Sequence, residues 1–342
     1  MKIIVELPEY LVRQVRELLS EGRYGDISSF VTASVENQLV LDTADLESGT
    51  VLLEEAEGWQ TSRGPALATD ISYALNDYSM VHPVPVPDWG ERSEADWLWG
   101  QVNKILPIKF AVRLLANELA NTEGVALLKD FGEKAAAVAR AFGLSLKAVD
   151  EREEHRRGAK LSTAFPVSHK IDRAQQRFGS QFIGHLAGNG RKSGALPVLS
   201  FGNIIEHGGQ SAIGLTRWGL DFAALVNPVL DEGDYHLPLS DQEIDFYLDH
   251  IQRRVPWEAS AFVLILSILT DGVGGREEVN GAISERLAAQ WSPAQVNTQR
   301  AGTMSRMFDL RLLSRVSRGR EVEYRATERG EAWLRGMREG GR

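Results

Sequence analysis

The chain has no cysteine among its 342 residues. This excludes a disulfide framework, thiolate zinc sites and a cysteine nucleophile, and it is compatible with a reducing compartment. Long apolar runs are missing too. The longest, Ala259 to Leu269, falls short of the ~18 residues of a membrane span and suits a buried helix. Met1 to Leu7 is followed at once by Pro8 and charged residues, so no secretory signal is expected. The expectation is a cytoplasmic protein with no membrane partner. Net positive charge is also lacking, because 38 Lys and Arg stand against 47 Asp and Glu, a balance of −9 that on its face argues against nucleic acid. What is present is ordinary: 43% hydrophobic and 25% charged residues, enough for a soluble globular chain of two or three domains.

The distribution of charge matters more than its sum. Residues 41 to 100 carry two basic against twelve acidic groups, which by itself exceeds the whole deficit. That stretch contains HPVPVPDWG, whose Pro83, Pro85 and Pro87 favour an extended backbone without ladder donors. Residues 43–98 therefore read as an acidic linker or irregular wrapping segment, with a self-repelling, mobile tether as one form of it. Residues 300 to 342, in contrast, hold eleven arginines against six acidic groups, a net of +5.

At the amino end, KIIVELP places Ile3, Val5 and Leu7 on one face of a strand and Lys2, Ile4 and Glu6 on the other. Pro8 then suits the start of a helix carrying Leu11, Val15, Leu18 and Leu19, and SEGRYGD ends it with two glycines. Ser28 caps a second helix with Phe30, Val31, Val35 and Leu39 inward. A lone strand cannot satisfy its backbone groups, so pairing with a second copy through Ile3, Val5 and Leu7 is the simplest completion. The unit resembles the ribbon-helix-helix family of Arc and MetJ type regulators, and residues 1–42 are taken as such a domain. The resemblance implies that Lys2 faces bases in the major groove while Ser28 and Ser29 face a phosphate. Ile4 and Glu6 depart from the polar or basic outward pattern of DNA-reading members. Whether the ribbon reads DNA or only dimerises stays open.

At the carboxyl end, three helical patterns precede an alternating hairpin around Arg318-Gly319-Arg320, and Thr327 caps a closing helix. This order, with RATERGEAWL at its end, resembles winged-helix regulators over about 255 to 336. The resemblance implies that the third helix offers Gln295, Asn297, Thr298, Arg300 and Arg306 to the major groove, with Arg315, Arg318, Arg320 and Arg325 on a wing beside the backbone. The alternative is that these arginines are solvated and paired with Glu321, Glu323 and Glu328. Between the two ends, helical patterns, the turn EHGGQS and the cap GLTRWG make a second winged helix plausible over about 104 to 235, with Lys170, Arg173, Arg177, Arg191, Lys192 and Arg217 as its basic groups. No residue-level repeat is evident between the two modules. A capping box at Ser240 and Glu243 opens a helix joining them.

Catalytic signatures fare poorly. GNGRKSG lacks the order of a phosphate loop, none of the seven histidines stands at an i, i+4 metal spacing, and DFGEK sits in a helical pattern without the neighbours a kinase or nuclease needs. Core packing of Trp97 or Trp99 is preferred to a partner-docking role. The reading is a mainly α protein with small β elements: a ribbon-helix-helix dimerisation head, a linker, and winged-helix domains over 99–238 and 239–342. Its expected function is double-stranded DNA binding without catalysis, metal or cofactor, as a transcriptional regulator or as the recognition subunit of a plasmid, mobile-element or defence assembly containing other subunits. The alternative is a protein interaction scaffold with an acidic docking arm.

Overall fold

In a computed structural model, the described residues are 12, 72–89, 96–122, 124–155, 159–187, 190–287, 291–318 and 321–340. All but residue 12 belong to one unit, Ala68–Arg342. The ribbon-helix-helix expectation, with Lys2, Ile3, Val5, Leu7, Ser28 and Ser29, lies outside the described residues, as does Arg320. What is described is mainly helical with small antiparallel sheets.

The helices start where local chemistry starts them. Pro107 leads α1 (Leu106–Leu119), a helix buried along nearly its whole length. A two-residue strand β1 (Ala126–Leu127) runs straight into α2 (Leu128–Arg152). After a loop come α3 (Ile171–Phe178), a π-turn at Gly179–Ile183, a small hairpin of β2 (His185–Leu186) and β3 (Lys192–Ser193), and one turn of helix, α4 (Ala195–Val198). The long hairpin β4 (Gly202–His207) and β5 (Gln210–Leu215) turns on Gly208 and Gly209, whose φ values of 59° and 79° suit a two-residue loop. Thr216 then caps α5 (Arg217–Ala224). Helix α6 (Asp241–Arg254) opens with the expected Ser240–Glu243 capping box.

The same order returns in the second half. Helices α7 (Pro256–Thr270), α8 (Arg276–Arg286) and α9 (Pro293–Asp309) lead to β6 (Leu313–Arg318), β7 (Glu321–Ala326) and α10 (Glu328–Gly340). The correspondence reaches single residues. Gly202 pairs with Leu215 and His207 with Gln210, while Leu313 pairs with Ala326 and Arg318 with Glu321, a constant offset of 111 residues. Thr216 takes the amide of Gly219 and gives its hydroxyl to Ser200; Thr327 takes the amide of Gly330 and gives its hydroxyl to Arg311. Ser200 and Arg311 both stand at φ 57°. A Cβ on Gly219 would lie 2.0 Å from the carbonyl oxygen of Phe201, and one on Gly330 would lie 2.3 Å from that of Leu312. Leu127 pairs with Ala212, and Gly275 bridges Glu323 at the matching place. The two halves are thus a structural repeat. Between 199–224 and 310–335 only Leu199/Leu310, Gly208/Gly319, Thr216/Thr327 and Gly219/Gly330 are identical, so no residue-level repeat could be read from sequence.

The repeats are held by buried charge as well as apolar packing. Lys109 on α1 reaches the carbonyl oxygen of Leu225 at 2.7 Å, and Arg113 one turn later reaches that of Ala223 at 2.8 Å, so two cations close the carboxyl end of α5. Glu243 lies 3.0 Å from Lys109, and Asp231 grips Arg113 in a two-pronged pair, which neutralises both. In the second repeat Glu258 on α7 holds Arg306 on α9 at 2.6 and 3.0 Å, with neither side chain exposed.

The proline segment is not a free tether over its described part. Residues 72–89 have no regular structure but are fixed on the first repeat. Asn117 donates to the carbonyls of Ser72 and Ala74, Asn203 donates to that of Pro85, and the amide of Val84 donates to Leu215. A chain poor in donors is held by its carbonyls, so the wrapping form of the expectation describes 72–89 and the mobile tether does not.

Candidate nucleic-acid interface

The expected recognition helix α9 is largely spoken for. Ser292 and Gln295 form its capping box, which occupies the Gln295 carbonyl oxygen. Asn297 accepts from Arg300 at 3.0 Å, and the Thr298 hydroxyl bonds back to Ala294 in its own helix. Arg300 is only 2% exposed, with its Nε 2.8 Å from Asn280. Arg306 is fully buried, and beyond Glu258 it donates to the Val102 carbonyl at 2.6 Å. The assignment of Arg300 and Arg306 to the major groove is therefore corrected: both guanidinium groups are interior, and a groove cannot reach them. The physical cause is a cover of the chain's own making. Residues 97–105 lie along α9 so closely that a Cβ on Gly302 would be 2.0 Å from the Gly100 carbonyl oxygen. Trp97 is buried edge-on against Trp291, as the core reading expected, whereas Trp99 is 59% exposed.

The second hairpin is less free than its composition suggests. Arg315 lies over the ring of Phe308 at 4.5 Å and faces Tyr324 at 5.8 Å. Arg325 is paired with Glu323 at 3.1 Å, and the strand register sets Arg318 opposite Glu321. The alternative of solvated, paired arginines thus describes Arg325. Exposed ion pairs of this kind contribute little to stability and open readily to a stronger anion.

The first repeat treats its third-helix position differently. Lys170 is exposed just before α3, and Arg173 and Arg177 lie one turn apart on it, half-buried. Arg177 has no carboxylate in ion-pair reach among the described residues. Its nearest polar partner is Gln101, 3.5 Å away, and Gln181 donates to the same Gln101 oxygen. Burial, then the charge of Arg173, pushes the Arg177 pKa down. A guanidinium facing a second cation with only an amide for company is a site that an incoming phosphate would neutralise. Around it, Arg191 pairs with Asp96 at 3.2 Å and exposed Arg217 with Asp221 at 3.0 Å. Lys192 reaches Asn203 at 2.6 Å, and its pKa is lowered by burial. Gln101 and Gln181 are not among the residues that sequence marks as a site, and Trp99 enters there only as a core or partner-docking residue. WGQ at 99–101 and the basic pattern of 170–177 are each visible there, but nothing local says that the two segments meet.

Among the described residues no group of three or more His, Asp or Glu side chains is placed to hold a metal ion. No helix among them is long and apolar enough to cross a membrane. No protein family, characterised protein or solved structure matches the chain.

Proposed function

We propose that the chain is a double-stranded DNA-binding protein without catalysis of its own, built on two tandem winged-helix repeats and dimerised by a ribbon-helix-helix head at 1–42. It serves as a transcriptional regulator or as the DNA-recognition subunit of a plasmid, mobile-element or defence assembly. The duplicated order of helix, short strand, two helices, hairpin and capped helix supports the winged-helix reading. The observation that carries the DNA reading is Arg177: a half-buried cation without a carboxylate partner among the described residues, beside Arg173, at the third-helix position of the first repeat. In this reading the first repeat is the principal reader, and the second contributes its hairpin arginines while its own third helix serves as scaffold. The covered face of α9 and the exposed Trp99 favour the other reading, a protein interaction scaffold.

Salt separates the two. Fluorescence anisotropy with a labelled random-sequence 30-base-pair duplex should give affinity that falls steeply with ionic strength, as release of counterions requires. Replacing both Arg173 and Arg177 with alanine should weaken binding of every duplex and lower the log–log salt slope by up to about two units. Binding that is absent, or insensitive to salt and to both substitutions, would overturn the DNA reading.

A further inference from the structure

A cavity of about 370 Å³ opens at the junction of the two repeats, and neither Arg177 nor Gln101 lines it. Its floor comes from Leu106 at the start of α1 and Leu161 in the loop after α2, both nearly fully buried, and its walls include Pro238 and the ring of Phe308. The volume lies within the range of small-molecule sites, which combine apolar walls with a few placed polar groups. Here those groups are mostly cationic. Lys160 is exposed and makes no ion pair among the described residues, and His236, also exposed, lines the same cavity. Arg315 lies over Phe308 at 4.5 Å and faces Tyr324 at 5.8 Å, and among the described residues it makes no ion pair. The one carboxylate in the lining, Asp309, is already engaged: it takes Lys104 Nζ at 2.7 Å and the Ile105 amide at 3.0 Å.

The lining thus combines apolar side chains with a histidine and two cations, Lys160 and Arg315, that have no carboxylate partner among the described residues. Two full positive charges match a dianion better than a monoanion, and a guanidinium can hold a phosphate through two parallel N–H donors. The geometry points to a binding site for a small aromatic phosphomonoester, its phosphate held by Lys160, Arg315 and His236 and its ring lodged against Phe308, Leu106, Leu161 and Pro238. The site does not depend on the DNA reading. Because Lys104 and Leu106 belong to the first repeat and Phe308 and Arg315 to the second, an occupant bridges the two, and its binding should raise the resistance of the whole unit to unfolding.

The test uses 1-naphthyl phosphate on the full chain, without DNA, by isothermal titration at fixed ionic strength, with inorganic phosphate and 1-naphthol as the two half-molecules. The ester should bind at least 10-fold more tightly than either half and raise the melting midpoint. Lys160→Ala, at an exposed position with no ion pair among the described residues, should weaken it by about 10-fold, as should Arg315→Ala. Arg253→Ala, an exposed residue on α6 that pairs with Asp249, should leave it unchanged. Inorganic phosphate binding as well as the ester would overturn the proposal by removing the ring contacts. 1-Naphthol binding as well as the ester would overturn it by removing the cations. Full affinity retained in the Lys160→Ala/Arg315→Ala double variant would place any binding elsewhere. A failure here leaves the salt-dependent duplex titration untouched, so the two readings fall separately.

Discussion

Replacing Arg306 with methionine puts the buried second repeat to a direct test. Wild-type Arg306 makes a two-pronged pair with Glu258 at 2.6 and 3.0 Å, donates to the Val102 carbonyl at 2.6 Å and to Thr303 at 3.2 Å. Methionine fills most of the space but returns none of these bonds. Glu258, with no exposed surface, is left as a buried carboxylate without a counter-ion. Breaking a buried pair from one side costs about 3–5 kcal/mol, a large share of the stability of any domain. At a urea dependence of about 3 kcal/mol per molar, the unfolding midpoint should fall by about 1–2 M. The companion variant Arg306→Met/Glu258→Met removes both charges and should recover most of the loss, since an apolar pair of similar volume is often neutral or better. Duplex affinity per folded molecule should be unchanged in both. An Arg306→Met protein that kept the wild-type urea midpoint and lost duplex binding would refute the reasoning and return Arg306 to the groove.

His250 donates from Nε2 to the Leu199 carbonyl at 2.6 Å, and burial, the largest cause, lowers its pKa to about 4 from an ordinary 6.5. The unfolded chain therefore binds this proton more readily between pH 6.5 and 4, so its contribution to stability, of order 3 kcal/mol, is present above 6.5 and lost as pH falls to 4. The difference in urea midpoint between wild type and His250→Gln should carry this slope, and parallel pH curves would refute it. Gly219→Ala and Gly330→Ala should each destabilise by about 1–3 kcal/mol, because the new methyl meets a backbone carbonyl 2.0 or 2.3 Å away. Gly281→Ala, exposed in α8 with open space around it, should instead stabilise by up to about 1 kcal/mol; a loss there, or none at Gly219 and Gly330, would show the repeat's close contacts to be misread.

The parts of the fold legible in sequence are those set by neighbours in the chain. Gly208 and Gly209 fix one hairpin turn, Thr216 and Thr327 cap the helices that follow, and Ser240 with Glu243 opens α6, all within four residues of where the signal stands. The interior charges were illegible for the opposite reason. Arg306 finds Glu258 across 48 positions and Val102 across 204, and a helix carrying Gln, Asn, Thr and Arg looks solvent-facing until such partners are known. Lys109 and Arg113 were hidden in the same way: within an apolar helix they read as its polar edge, yet both point at the end of α5. For the candidate site, the basic residues of α3 were visible, but their distinction from those of α9 depends on which helix residues 97–105 cover.

That cover also decides how the boundary near 238 should be understood. A linker between independent domains crosses few contacts and can be cut without loss. Here the start of the first repeat is seated on the third helix of the second: Gly100 on Gly302, Val102 on Arg306, Lys104 and the Ile105 amide on Asp309. Separating the halves after Pro238 would leave the Asp309 carboxylate and the Val102 carbonyl, both buried in the whole chain, without these partners, and each such group costs about 1–3 kcal/mol or more when left unsatisfied. The third helix of the second repeat carries the polar residues of a solvent-facing helix, but Gly302 leaves no side chain there to hold the covering segment off. The same covering segment carries Trp99 and Gln101, and Gln101 accepts from both Arg177 and Gln181 of the first repeat.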